Sequence, residues 1–374
     1  MSEEPLATLL AGYDESAPLE AAYAIPSGWY TSEAVAKLER EAVFARSWQP
    51  VFRADQVARA GEFATAEISG EPILAVRGAD GILRAFFNVC RHHAAAVATA
   101  CEGRAERFRC PYHGWTYSLE GALLGTPEFQ QVTGFDRTRN GLVPVRAEEW
   151  EQFVFVNLDR GAAPLAESLG ELRGRIAPLN LASLRFYARR EYTLACNWKV
   201  YVDNYLDGGY HVPYLHAGLN SVLDYREYTI ENAPNWCLQT SPIADSGSDA
   251  AVSATRRGNR AWYYWLYPNF MVNVYEGVMD TNLVLPMGVD RTKVVFDFYF
   301  TDVSAGAAEK NEASMAVGEK IQHEDEAICE SVQRGLGSRA YRAGRLSVRR
   351  EAGEWLFHRL LARELGEGHR RREK

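Results

Sequence analysis

Two stretches of the chain concentrate side chains that bind metals. The first, "CRHHAAAVATACEGRAERFRCPYHGW", places one residue between Cys90 and His92 and, after seventeen intervening residues, two residues between Cys110 and His113. Two thiolates and two imidazoles on two short loops suit either tetrahedral zinc or an iron–sulfur centre. Zinc pairs usually keep two to four residues between ligands, and Cys-x-His with one departs from that habit. The second stretch, "NWKVYVDNYLDGGYHVPYLH" from Asn197 to His216, sets His211 and His216 five residues apart, preceded by Asp203 and Asp207. On an unbroken helix the two imidazoles would point about 140° apart. Pro213 lies between them, and a helix break there would let them converge. Neutral imidazoles alone leave a divalent metal short of charge compensation, so a carboxylate must complete the face. The run "QHEDEAICES" offers Glu324, Asp325 and Glu326 on a predicted helix.

Cysteines on one iron and histidines on the other make a Rieske [2Fe–2S] cluster, and the first stretch fits that ligand set better than zinc. His93 stands in the other register and reads as a packing or hydrogen-bonding residue. Gly114 allows close backbone approach, while Trp115 and Tyr117 either shield the cluster, donate a hydrogen bond to it or simply fill core. Two histidines and one carboxylate on one face of a metal, with the opposite positions open, is the arrangement of oxygen-activating mononuclear iron.

The elements that must carry these ligands follow from periodicity. Thr31 to Trp48 has apolar residues at helical spacing behind a Thr-x-Glu start and predicts one amphipathic helix. From Gln49 to about Leu158 the pattern turns to short alternating or apolar runs, "FATAEI", "EPILAVRG", "LRAFFNV" and "FVFVNL", which predict a small all-β module around the first stretch. Beyond it, strands such as "AWYYWLYPNFMVNVY" and "KVVFDFYFTDV" mix with helices near Ala307 to Leu336 and Glu351 to Leu365, the mark of an α+β domain. A chain of 374 residues exceeds the usual single core, so two domains are expected.

Composition narrows the functional class. With 47% hydrophobic and 24% charged residues and no long apolar run, the chain reads as a globular protein with no membrane span. The acidic start "MSEEPLATLLAGYDES" lacks the features of a signal peptide, which predicts a cytoplasmic protein. Six cysteines without such a signal are reduced thiols or metal ligands rather than a disulfide framework. A net charge of −8 speaks against nucleic acid as a partner, and "GHRRREK" at the end reads as a solvated tail.

Taken in order, the cluster motif, "DNYLDGGYHVPYLH" and "EDEAICESVQRGL" make the chain resemble the α subunits of Rieske non-haem iron oxygenases over nearly its whole length. "YPNFMVNVYEGVMDTNLVLP" and "ICESVQRGLGS" are similar to the choline monooxygenase group and its bacterial relatives. The resemblance implies an N-terminal segment (1–47) packing with the catalytic domain, a Rieske domain (48–158), and a helix-grip-like catalytic domain (159–374) with antiparallel sheet and helices. It makes Cys90, His92, Cys110 and His113 the cluster ligands. His211, His216 and Asp325 become the iron ligands, Asp325 being preferred because Glu330 follows it at the family's spacing. The family often places an acidic bridge between subunits three residues before the first iron histidine. Here that position is Gly208, so Asp207 becomes the bridge and Asp203 the fallback. A homotrimer is implied.

Such an enzyme takes up O₂ and single electrons. The chain has no Gly-x-Gly-x-x-Gly or other nucleotide fingerprint, so a separate reductase, with or without a ferredoxin, must bring electrons from NAD(P)H. For substrate, "AWYYWLYPNF" presents Trp262 and Tyr264 to one face and Tyr263, Trp265 and Tyr267 to the other. An aromatic wall from Trp262, Tyr264 or Trp265, with Glu276 as an anionic partner, would suit a small quaternary ammonium compound such as choline. Another amine, betaine or aromatic substrate, and a non-enzymatic electron carrier or redox sensor, are the rival readings.

Overall fold

The computed structural model describes residues 4–244 and 249–373. The chain separates into two compact units, Phe44–Ser168 on one side and Met1–Val43 with Leu169–Lys374 on the other. The β unit therefore extends several residues beyond 48–158 at both ends, and the first 43 residues cluster with the second unit.

The Phe44–Ser168 unit is built on a seven-stranded antiparallel sheet and a three-stranded one. The larger sheet runs, in spatial order, Gln49–Arg53, Phe153–Asn157, Pro144–Trp150, Leu83–Phe87, Glu71–Arg77, Glu62–Ile68 and Glu102–Arg104. Its strand Glu71–Arg77 explains why "PILAV" is apolar without interruption: successive side chains serve different cores. Ile73 and Ala75 pack with Ala64, Ala85, Val154 and Val156. Leu74 and Val76 pack with Phe86, Cys90, Cys110, Trp115 and Tyr117. The second core is the cradle of the two cysteine loops. One loop follows strand Leu83–Phe87, and the other joins Phe108–Arg109 to Thr116–Tyr117 in the small sheet.

The other unit centres on a second seven-stranded antiparallel sheet, ordered Arg185–Leu194, Thr292–Phe300, Val278–Pro286, Phe270–Tyr275, Arg260–Leu266, Trp236–Pro242 and Thr229–Asn232. With it go the helices Trp198–Leu206, Ala308–Leu336 and Ala352–Arg372. The sheet and helices make the α+β architecture expected from the sequence pattern. Among the described residues no helix is long and apolar enough to cross a membrane.

The stretch from Thr31 to Trp48 is not one helix. A short helix, Ser27–Thr31, ends at extended Ser32; a second, Glu33–Glu39, then begins and widens into a π turn over Arg40–Phe44. Ser32 rather than Thr31 stands at the N-terminal boundary, and the π turn shifts the register that a single 3.6-residue repeat would keep. Tertiary demands set this geometry. Glu39 is buried and accepts hydrogen bonds from Lys199 Nζ at 2.6 Å and Trp198 Nε1 at 2.9 Å. That buried ion pair fastens the N-terminal segment to the helix that precedes His211 and His216.

Candidate metal centres

The two cysteine loops share one backbone design. In the first, Cys90 N donates to Ala95 O at 2.8 Å and Ala94 N to Cys90 O at 3.0 Å. In the second, Cys110 N donates to Trp115 O at 2.8 Å and Gly114 N to Cys110 O at 3.0 Å. The fifth residue of each turn is left-handed, with φ of 62° at Ala94 and 72° at Gly114. Each turn thus folds back on its own cysteine. Cys90 and Cys110 are buried, His92 is half-buried, and His113 is exposed. The rings of His92 and His113 lie 4.7 Å apart, and His92 Nδ1 is buried without a hydrogen-bond partner. Paired buried thiols, two convergent imidazoles and an orphaned ring nitrogen fit a Rieske cluster.

Aromatic residues complete this cradle. Trp115 stacks on His92 with centroids 4.7 Å apart and planes within 6°. Tyr117 Oη lies 3.3 Å from Cys90 Sγ and accepts from Arg91 N at 3.0 Å, which leaves its own proton for the sulfur. Trp115 therefore shields a ligand ring and Tyr117 addresses a ligand sulfur. His93 is exposed, with its ring 4.0 Å from that of His92, and one of its nitrogens comes close enough to share a metal with His92 and His113. Its ligation would leave the thiolates out, and thiolates are the ligands an iron–sulfur cluster requires.

In the second centre the ligand atoms of His211, His216 and Asp325 all lie within 4.8 Å of one another. His216 Nε2 is 3.0 Å and His211 Nε2 3.8 Å from Asp325 Oδ1. Pro213 does not break the chain between the histidines; it occupies the first turn of a short helix, Val212–Leu215, where no amide donor is needed. The break falls on His216 itself, whose φ of −107° and ψ of 72° separate that helix from Ala217–Asn220. The two rings consequently meet edge to face, 4.9 Å apart and inclined by 80°.

Carboxylates set the direction of both rings. His211 Nδ1 lies 2.6 Å from Asp207 Oδ2, and His216 Nδ1 lies 2.6 Å from Glu324 Oε2. A carboxylate that accepts an Nδ1 proton turns Nε2 toward the centre and raises its basicity as a ligand. Asn204 Nδ2 donates to Asp325 Oδ1 at 2.8 Å and positions the third group. At His216 burial works against the charged ring, yet Asp325 and Glu324 outweigh it and raise the pKa above the ordinary value; the site favours positive charge. This donor set fits a divalent iron. Of the three neighbouring acids, Asp325 faces the centre, Glu324 stands behind His216, and Glu326 pairs with exposed His323 at 3.3 Å.

The aspartates before His211 part company for a helical reason. Tyr201, Asn204 and Tyr205 share one face of the helix Trp198–Leu206, and that face lines a cavity beside the three ligands. Asp203 points elsewhere. It accepts from Tyr30 Oη at 2.5 Å and lies 3.0 Å from His358 Nε2, in a group with buried Glu354. Asp207 stands just past the helix end, where Gly208 and Gly209, both at φ 68°, turn the chain back toward His211. A Cβ at Gly208 would come within 2.0 Å of Arg350 O, so no carboxylate can occupy that position.

The cavity has a volume of about 120 Å³. Trp262, Tyr264, Trp265 and Glu276 do not line it. Strand alternation sends Trp262 and Tyr264 to the far face; Trp265 points inward but packs into core against Tyr267 and Phe357; Glu276 is exposed. The aromatic lining comes instead from Tyr263, Tyr275, Tyr228, Tyr201, Tyr205 and Phe296. Tyr228 and Tyr263 stack at 6.5 Å, and Tyr263 and Tyr275 share a hydrogen bond of 2.8 Å. The helical spacing of Tyr201 and Tyr205 before His211 is visible in the sequence. Nothing local marks Tyr228 or Tyr275, or the buried Arg256 and Asp280 of the same lining.

Residues 47–136 match the model of the Rieske [2Fe-2S] domain, and residues 181–367 match that of the ring hydroxylating alpha subunit catalytic domain. The chain is 39% identical to the chloroplastic choline monooxygenase of Arabidopsis thaliana, over 92% of this chain and 83% of that protein. It is 35% identical to the carnitine monooxygenase oxygenase subunit of Escherichia coli strain K12, over 91% of this chain and 93% of that one. A solved quaternary ammonium Rieske monooxygenase superposes with a TM-score of 0.85 at 30% identity, covering 92% of this chain and 96% of the other. A naphthalene 1,2-dioxygenase, 18% identical with a TM-score of 0.76 over 95% and 97% of the two chains, shares the fold.

Proposed function

The chain belongs to the α subunits of the Rieske ring-hydroxylating oxygenases and is a non-haem iron monooxygenase, and from that premise we propose that it oxidises a small quaternary ammonium compound such as choline. The observation that carries this reading is the cavity beside His211, His216 and Asp325, walled by tyrosines and holding the buried carboxylate of Asp280. Tyrosine faces attract an organic cation, and a buried carboxylate offsets its charge. Relatives with printed activities on choline and carnitine point to the same substrate class.

With their irons bound, the two centres would supply single electrons and activate O₂. The residues do the rest. Asp207 and Glu324 hold the Nδ1 protons of the two histidines, and Asn204 holds Asp325, so three ligands stay on one face and the cavity side is left for oxygen and substrate. The tyrosine lining excludes bulk water from that side. Electrons come from a separate reductase that draws on NAD(P)H, and the oxygenase works as a homotrimer in which Asp207 links His211 to the cluster of a neighbouring subunit.

Oxygen uptake with a surrogate reductase tests the substrate class. Choline or another trimethylammonium compound should stimulate uptake, and a neutral isostere with carbon in place of nitrogen should bind about thirtyfold more weakly, the equivalent of roughly 2 kcal/mol of desolvated cation–π attraction. Equal response to both overturns the ammonium reading, and formaldehyde release identifies N-demethylation. For the electron route, Asp207→Asn loaded with saturating iron should hold both metal centres yet slow reoxidation of the reduced cluster in a single turnover. A normal rate there, with a large defect in Asp203→Asn, would exchange the roles of the two aspartates.

A further inference from the structure

On the helix Trp198–Leu206, away from the face that Tyr201, Asn204 and Tyr205 turn to the cavity, Asp203 meets side chains from two other elements. Tyr30 comes from the short helix Ser27–Thr31, and Glu354 and His358, four residues apart, from the helix Ala352–Arg372. His358 is fully buried and its Nδ1 has no hydrogen-bond partner, so its polar contacts gather at Nε2. Three oxygens surround that one nitrogen: Asp203 Oδ1 at 3.0 Å, Tyr30 Oη at 3.5 Å and Glu354 Oε1 at 3.9 Å. A single ring proton can serve only one of them.

Glu354 gives a second, separate sign. It is 8% exposed, and among the described residues its carboxylate makes no hydrogen bond. With Asp203 and Tyr30 it lines a second cavity, of about 210 Å³. Ile328 and Tyr341 of the same lining are exposed, which gives that cavity a route to solvent. Burial lifts the Glu354 carboxyl well above the ordinary carboxylate range, and Asp203, Glu351 and Asp207 push it the same way. Among the described residues no Lys or Arg pairs with Asp203 or Glu354; Lys199, whose charge bears on Asp203, is committed to Glu39 at 2.6 Å. Two largely buried carboxylates beside one imidazole are costly without further positive charge.

We propose that Asp203, Glu354 and His358 form a third metal site, which holds a divalent first-row transition ion and ties the N-terminal segment and the C-terminal helix to the helix before His211. The ligand atoms of the three residues all lie within 4.8 Å of one another. Ligands each about 2.1 Å from one ion are at most about 4.2 Å apart, so small side-chain rotations close the site. The donor set selects the ion. Mg²⁺ and Ca²⁺ take oxygen ligands throughout, whereas an imidazole among carboxylates suits Mn²⁺, Fe²⁺ or Zn²⁺. Such an ion replaces the Nε2 proton and meets all three side chains at once. Tyr30 Oη, which donates to Asp203 Oδ2 at 2.5 Å, orients the aspartate from behind.

Counting bound Mn²⁺ tests the site. A chelator strips the mononuclear iron from the full-length protein, the cluster is left oxidised, and Mn²⁺ is titrated while the paramagnetic signal of the free ion is read. The wild type should take up one ion per chain more than Glu354→Gln, and Asp325→Ala one more than the double variant Asp325→Ala/Glu354→Gln. Loss of a direct ligand costs at least the roughly 10- to 100-fold in affinity that loss of an outer partner does. Equal uptake with and without Glu354 overturns the site, as does no uptake by Asp325→Ala. Should Glu354→Gln fail to fold, judged by its cluster spectrum and melting temperature, the nitrogen couplings of Mn²⁺ bound to Asp325→Ala decide instead. A single imidazole nitrogen that disappears in His358→Asn supports the site, and any other pattern, such as the pair expected from His211 and His216, overturns it.

Discussion

The two metal centres of this chain are held by different means. The proposed cluster ligands sit on two turns whose backbone hydrogen bonds repeat position for position, and among the described residues no carboxylate is hydrogen-bonded to them. The proposed iron ligands come from a broken helical segment and a distant long helix, and each is held by a side chain: Asp207, Glu324 and Asn204. A redox cluster must keep one geometry in two charge states, which suits ligands fixed by local backbone. A catalytic iron must leave positions open, which suits ligands clamped from behind.

The largest expected effect separates the two outright. Asp325→Ala should abolish turnover and remove the mononuclear iron while the visible and paramagnetic signature of the cluster persists; loss of both signals together would mean that the centres are not independent. Next in size, Glu324→Gln and Asp207→Asn should each weaken iron binding about 10- to 100-fold in a chelator competition, because the rings keep their partners but lose the charge behind them. Unchanged affinity in both would remove the side-chain clamp from the comparison.

A subtler change tests the cluster side. Tyr117→Phe removes the hydroxyl 3.3 Å from Cys90 Sγ and should lower the cluster potential by on the order of 50 mV, since a hydrogen bond to sulfur favours the reduced, more negative state. Protein-film voltammetry would read it, and iron affinity at the other centre should not move. The smallest effect probes the backbone design. Ala94 holds φ 62° where its counterpart is Gly114, so Ala94→Gly should stabilise the β unit by about 1 kcal/mol, and Gly114→Ala should cost a similar amount in chemical denaturation.

How much of this was legible follows the same division. The cysteine loops could be read because each ligand pair lies within four residues of chain and the turn that aims it is local. The strand "PILAV" could be read as buried, although not that its two faces serve different cores. His211 and His216 were visible as a pair, but the reason they converge was misplaced: Pro213 begins a helix, and His216 ends it. The aromatic wall was expected from side chains that do not line the cavity, because alternation along "AWYYWLY" gives two faces without saying which meets the cavity. Tyr263 does, and Trp262 and Tyr264 do not.

By itself, then, the sequence determined the chemistry: which atoms can ligate, that thiolates and imidazoles are paired for a cluster, and that two histidines need a carboxylate. Those are properties of residue type and short spacing, which the chain carries into any fold. Only the tertiary structure brought Asp325, rather than Glu324 or Glu326, to face both histidines, turned Asp207 toward His211 and Asp203 away from it, and set Arg256 and Asp280 along one cavity. These choices depend on which faces of separate helices and strands meet. Helical rotation of 100° per residue sends neighbours in sequence to different surroundings, and only packing fixes which surroundings those are.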